Sequence, residues 1–147
     1  MSARTGGCLC GAVRFEATEV PETFGACHCE MCRRWTGSAL LGVTVPLESV
    51  TWEGADSIGR LQSSDWAERA FCSRCGSPLY YHVTAEGPMA ENLEMPIGLF
   101  DDPSGFVFTN EIYIDNKPDS FAYAGDRTRL TRKETLAKFG IAEGDLQ

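Results

Sequence analysis

Seven cysteines fall into three tight groups in a chain of 147 residues. Cys8 and Cys10 make a C-x-C, Cys27, Cys29 and Cys32 a C-x-C-x-x-C, and Cys72 and Cys75 a C-x-x-C followed by Gly76. Such spacings bring sulfurs to one side of a turn, near enough to share a metal whose Zn–S bonds are about 2.3 Å. The two pairs together make four ligands, and the triple makes three. Cys8, Cys10, Cys72 and Cys75 are therefore expected to close a structural tetrahedron that clasps the N-terminus to mid-chain, its metal affinity adding directly to folding stability. Cys27, Cys29 and Cys32 supply three ligands and leave a fourth position for water or substrate, the pattern of a catalytic zinc. Two zinc ions per chain follow from this division.

The ligand set limits the chemistry. Three thiolates on a divalent ion leave a net charge of about −1, so the metal acidifies water less than a three-histidine site would. A soft open position favours a substrate thiolate as fourth partner, which points to forming or breaking bonds at sulfur. Directly after the triple comes Arg33-Arg34-Trp35-Thr36-Gly37-Ser38. The two guanidinium groups can grip carboxylates bidentately, with Ser38 and its neighbours offering further donors, and a small thiol carrying carboxylates would fit that surface. The other reading leaves Arg33 and Arg34 solvated, or balancing the anionic centre, and Trp35 in the core instead of lining a pocket. His28, flanked by two ligands in an extended segment, should point away from the metal, and His82 reads as a structural histidine. Neither a phosphate-cradling glycine loop nor a nucleophile elbow is present.

The elements that hold these groups read as mainly β. Ala12 to Ala17 alternates apolar and polar residues as a half-buried strand does. Further strand candidates are Ala39 to Val45, Ser49 to Trp52, Ala67 to Phe71, Leu79 to Val83, Ile97 to Phe100 and Glu111 to Ile114, mostly separated by Gly, Pro, Asp or Ser clusters. Glu30 to Trp35 suits a single helical turn. A helix is expected over about 131–140, where Thr131 to Glu134 fits a capping box, Leu136 and Phe139 share a face, and Gly140 ends it. The expected architecture is one β-rich zinc-binding domain over 1–147 with short helices, its core spanning 6–120.

Composition sets the remaining bounds. At 43% hydrophobic and 23% charged residues the chain has enough apolar surface to form a core. A net charge of −8, with no gathered basic face, argues against nucleic-acid binding. No apolar run approaches the length of a membrane helix. The first residues carry no apolar export segment, so a reducing cytoplasm is the expected location, where clustered cysteines bind metal or do chemistry more often than they pair.

Three segments together, Gly7-Cys8-Leu9-Cys10-Gly11-Ala12-Val13, Cys27-His28-Cys29-Glu30-Met31-Cys32-Arg33 with Gly37-Ser38, and Phe71-Cys72-Ser73-Arg74-Cys75-Gly76, resemble the glutathione-dependent formaldehyde-activating enzyme family. The resemblance covers residues 6 to about 83, and Glu111 to Asp115 and Lys117-Pro118-Asp119 look like its later segment. It implies a β-rich fold with two zinc sites. By position, Cys8, Cys10, Cys72 and Cys75 match the family's structural site, and Cys27, Cys29 and Cys32 its catalytic one. It also implies a carbon–sulfur lyase-type reaction, the joining of glutathione and formaldehyde as S-(hydroxymethyl)glutathione, with glutathione as the small-molecule partner. The competing expectation is a non-catalytic zinc module whose triple is completed by another ligand or serves only as a clasp. A redox or disulfide protein ranks third.

Overall fold

The computed structural model describes residues 1–141. Eleven strands and two helices run in the order β1 (Ser2–Gly7), β2 (Arg14–Val20), β3 (Thr23–Cys27), α1 (Glu30–Thr36), β4 (Leu40–Pro46), β5 (Val50–Glu53), β6 (Ile58–Gln62), β7 (Ala67–Cys72), β8 (Pro78–Val83), β9 (Asn92–Pro96), β10 (Val107–Ile112), β11 (Thr128–Leu130) and α2 (Arg132–Lys138). They form a three-stranded sheet, β1-β2-β5, and an eight-stranded sheet, β11-β10-β3-β4-β9-β8-β7-β6. The β3–β10 and β10–β11 pairs are parallel. The mainly β architecture with two short helices matches the expectation from sequence.

Strand alternation divides the large sheet into two working faces. Val43 and Val45 of β4, Leu93 and Met95 of β9, and Tyr80 of β8 are buried, and they pack with Val13, Phe15, Ala17 and Val20 from the β2 region in one core. Each such side chain contributes on the order of 1.5–3 kcal/mol by leaving water. The residues between them, Gly42 and Thr44 on β4, Asn92 and Glu94 on β9, and Tyr81 and Val83 on β8, face a cleft on the opposite side.

The strand expected over Ala12 to Ala17 is β2, shifted to Arg14–Val20, and two other elements differ more. Ile97 to Phe100 is not a strand: Ile97–Leu99 is one 3-10 turn, and the strand lies just before it at β9. The apolar run there reports the burial of Phe100 in the core, where it makes only an isolated bridge to Gly6. The strand expected over Glu111 to Ile114 is β10, which starts at Val107 and stops at Ile112, because Tyr113 takes a left-handed conformation with φ 55°. Only there does a residue other than glycine have positive φ among the described residues, a strained geometry for an aromatic side chain. The Tyr113 amide donates to Thr135 Oγ1 of α2 at 3.4 Å.

Helix α2 begins as its sequence requires. Thr131 Oγ1 accepts from the Glu134 amide at 3.2 Å, and Glu134 Oε1 accepts from the Thr131 amide at 2.9 Å. Leu136 is buried, whereas Phe139 is 42% exposed and lines the cleft mouth instead of joining the core. No helix among the described residues is long and apolar enough to cross a membrane.

Candidate metal centres and active site

Cys8 and Cys10 sit in the turn after β1, Cys72 ends β7, and Cys75 lies in the turn that follows. Each turn is built as a knuckle. Gly11 N donates to Cys8 O at 3.2 Å and Gly76 N to Cys72 O at 2.8 Å, with both glycines at positive φ near 80° (Gly11 79°, Gly76 80°). Ser77 ties the two knuckles together, since its Oγ accepts from the Leu9 amide at 3.0 Å and lies 3.2 Å from Cys75 Sγ. That contact helps hold the Cys75 thiol down at about 5. The four sulfurs lie within 4.8 Å of one another, with Cys8–Cys10 at 3.7 Å and Cys10–Cys72 at 3.8 Å. A tetrahedron with metal–sulfur bonds of about 2.3 Å has edges of about 3.8 Å, so the set fits a four-thiolate zinc.

The triple is assembled by one strand end and one short helix. Cys27 is the last residue of β3, Cys29 caps α1, and Cys32 lies in its first turn, where its amide donates to Cys29 Sγ at 3.4 Å. The three sulfurs also lie within 4.8 Å of one another. Clustered this tightly, they divide their protons unequally. Hydrogen bonds from Cys27 and then Cys32 push Cys29 down to about 3. Cys27 is driven well above the usual thiol range, first by its contact with Cys29. The bond with Cys27 pulls Cys32 down, but its bond with Cys29, then burial and the Cys29 charge, outweigh this and raise it to about 12. One thiolate is what the cluster sustains alone; a bound divalent cation would stabilise all three, so the donor set fits a soft metal with one position to spare.

Between the ligands, His28 turns inward, as the extended segment predicts. Its Nε2 lies 2.8 Å from Glu111 Oε1, and its amide donates to Ile112 O at 3.1 Å. Glu111 Oε2 accepts from Arg127 Nη1 at 2.7 Å and Arg129 Nε at 3.0 Å. Burial would raise this carboxyl, but the His28, Arg127 and Arg129 hydrogen bonds outweigh it and hold Glu111 below its ordinary value. The network pins the cysteine loop from beneath. His82 is structural, its Nδ1 3.0 Å from Glu68 Oε2 and its Nε2 2.8 Å from Ala90 O.

The triple opens into a cleft of about 790 Å³. Of the residues that sequence offered for substrate contact, Arg33, Arg34, Trp35 and Ser38, none lines it. Arg34 points into solvent and pairs with Glu30 at 3.1 Å, Ser38 Oγ donates to Ala39 O at 3.3 Å, and Trp35 stacks on Arg69. The cations that line the cleft are Arg69, Arg132 and Lys138. Arg69 is 5% exposed, held between the Trp35 and Tyr81 rings at 4.9 and 4.8 Å, with Nη1 and Nη2 at 3.7 and 3.8 Å from Cys32 Sγ. Sequence reasoning missed it, although an arginine at an inward position between Ala67 and Ala70 is a signal of a buried charge with a partner.

Residues 3–116 match the family described as glutathione-dependent formaldehyde-activating enzyme. The chain belongs to the glutathione-dependent formaldehyde-activating enzyme family. All seven cysteines fall inside the matched region, whereas β11 and α2 lie beyond it, α2 lining one wall of the cleft. The chain is 31% identical over 132 residues to an uncharacterized lyase of Schizosaccharomyces pombe, covering 89% of this chain and 93% of that protein. It is 32% identical over 83 residues to a Halomonas elongata protein provisionally named a glutathione-dependent formaldehyde-activating enzyme, covering 51% and 53% of the two. A crystal structure of a Rhodobacter sphaeroides protein shares the fold, with a TM-score of 0.56 at 24% identity over 66% of this chain and 87% of the other. Membership of the formaldehyde-activating family makes the chain a lyase-type enzyme of carbon–sulfur chemistry.

Proposed function

We propose that the protein is a zinc-dependent carbon–sulfur lyase that joins a small thiol to an aldehyde, or parts the two, with glutathione as the thiol and formaldehyde as the aldehyde. The observation that carries this reading is the contrast between the cysteine sets. Four sulfurs complete a tetrahedron among themselves, while Cys27, Cys29 and Cys32 gather at the wall of a large cleft. Zinc held by the triple would supply a soft open position at which a thiol loses its proton and becomes nucleophilic near neutral pH.

The chain's own residues supply the rest. Arg69, fixed against Cys32, offsets the negative charge that gathers as a further sulfur approaches. Arg132 and Lys138 line the α2 wall, where cations suit the carboxylates of glutathione. This moves the carboxylate contacts from Arg33 and Arg34 to the far side of the cleft. Met31, Leu40, Ile112 and Leu136 give the same cleft apolar lining.

Titration calorimetry on zinc-loaded protein tests the reading. Glutathione should bind with release of one thiol proton, so the heats vary with the buffer's ionisation enthalpy, and S-methylglutathione should bind about tenfold or more weakly, a difference of at least 1.4 kcal/mol. Equal binding of the two, with no proton released, would leave a non-catalytic zinc module as the better account.

A further inference from the structure

The eight-stranded sheet sets four polar side chains in one row across four neighbouring strands. Thr44 of β4 pairs with Glu94 of β9, Glu94 with Tyr81 of β8, and Tyr81 with Arg69 of β7. All four face the cleft. At one end the row reaches the triple through Arg69 and Cys32. Glu94, one strand in from the other end, has no role in metal binding, and it forms no ion pair among the described residues.

The groups around this carboxyl are neutral or occupied elsewhere. From β4, Thr44 Oγ1 lies 2.9 Å from both carboxyl oxygens, one hydroxyl serving two acceptors. From β8, the Tyr81 hydroxyl accepts from Trp66 Nε1 at 3.2 Å, and burial pushes its own ionisation up to about 12. From β7, Arg69 lies two strands away, roughly 10 Å at the usual strand spacing, and is turned onto Cys32. From β10, Asn110 is uncharged. Across the cleft stand Lys138 and Arg132 of α2, Tyr113, Glu30 and the three thiols. Burial pushes the Glu94 carboxyl up to about 7, against the pull of the Thr44 hydrogen bond.

The floor between Glu94 and the triple is formed by Gly42 and Gly25, with Leu40 and Asn110 beside them. A Cβ placed on Gly42 would lie 3.5 Å from Glu94 Oε2, so the carboxyl leans over this glycine. Gly42 pairs with Gly25, and two residues further along Leu40 pairs with Cys27. Glu94 stands opposite Thr44, two strands across and four residues along from Cys27, so the two backbones are roughly 16 Å apart and the extended carboxyl covers part of that span. Asn110 Oδ1 occupies the space above Gly25, which leaves no room for a Cβ there. A hydroxymethyl group on a sulfur held beside the triple would extend over this floor toward Glu94.

We propose that Glu94 is the catalytic acid–base of this cleft, carrying the proton between the adduct's hydroxyl oxygen and its sulfur. The proposal rests on the carbon–sulfur reading above. In adduct cleavage the Glu94 carboxylate takes the hydroxyl proton, the freed oxygen pair becomes the carbonyl bond, and the carbon–sulfur pair leaves with sulfur. Glu94 then returns the proton, so that adduct gives thiol and aldehyde with no other reactant. Formation runs the same path backwards.

The test is exchange NMR between S-(hydroxymethyl)glutathione and glutathione plus ¹³C-formaldehyde, with the uncatalysed exchange subtracted. In zinc-loaded wild type, catalysed cleavage should rise with pH through about 7, because the carboxylate form is the one that accepts the proton. Glu94→Gln should lower it about 10²–10⁴-fold and flatten the pH profile while leaving zinc content and glutathione binding unchanged. Thr44→Val removes a hydrogen bond that favours the charged carboxyl, so the rise should move to higher pH. Catalysis at wild-type rate in Glu94→Gln, or an unmoved profile in Thr44→Val, overturns the role of Glu94 and leaves the lyase reading standing. Wild type that does not accelerate exchange at all overturns both.

Discussion

Replacing Cys75 with serine should leave the protein unfolded at ordinary temperature, whereas Cys29→Ser should keep the fold and lose thiol-dependent chemistry. Cys75 and Cys72 hold one knuckle of the closed set, and Cys72 lies 62 residues from Cys10 in sequence. A structural zinc of this kind contributes an apparent 10–16 kcal/mol or so, as large as the roughly 5–15 kcal/mol stability of a whole domain. Cys75 is the cleaner site for the substitution, because Cys72 is fully buried and its loss would also disturb the core. At position 29 the change is mild for another reason. Cys29 serves as the α1 N-cap, and serine is a better capping residue than cysteine. Thermal unfolding followed by circular dichroism, with metal content measured alongside, checks both. Similar losses of Tm in the two variants would contradict the division into a structural and a working site.

Glu111→Gln should cost about 3–5 kcal/mol of stability, because the substitution leaves Arg127 buried without its charge partner. The Arg127 side chain is 6% exposed and the Glu111 side chain 2%. The same variant should lose pH sensitivity. Glu111 has its carboxyl lowered in the folded state, so its contribution is fully present above the unfolded glutamate value of about 4.3 and is lost as pH falls through the lowered folded value. Wild type should therefore weaken more steeply than Glu111→Gln as pH falls below about 4. Denaturant unfolding at several pH values measures this directly. A cost under about 0.5 kcal/mol would put the network among contacts of little weight. Because His28 is anchored on Glu111, zinc retention by the triple should also fall in this variant.

The grouping of the cysteines was the most legible part of the sequence, since their spacing is local. Pairs and triples within a few residues report a turn directly, and the knuckle glycines Gly11 and Gly76 stand in the same short segments. The strands that cover the core from both sides, such as β4 and β8, were legible by their apolar content. Of the four edge strands only β5 was: β1, β6 and β11 carry little apolar demand and have mixed or polar sequences. Strand β3 lies inside the sheet, but Gly25 breaks its pattern.

That Arg33, Arg34, Trp35 and Ser38 do not line the cleft has a related reason. Arg33 and Arg34 were chosen by adjacency to the triple, yet a helix rotates about 100° per residue, so Arg34 lies about 200° from Cys32 and faces solvent. Arg69 and Glu94 reach the cleft through strand register across four strands, which no local pattern records. The α2 wall depends on the parallel pairing of β10 with β11, again a contact between distant segments.

Metal counting by native mass spectrometry, joined to alkylation of free thiols on freshly purified protein, tests the central claim most directly. Two unlike cysteine sites predict two zinc ions per chain and almost no alkylation, with a mild chelator removing one ion and exposing Cys27, Cys29 and Cys32 alone. One zinc per chain, with Cys27, Cys29 and Cys32 alkylated before any chelator is added, would contradict it.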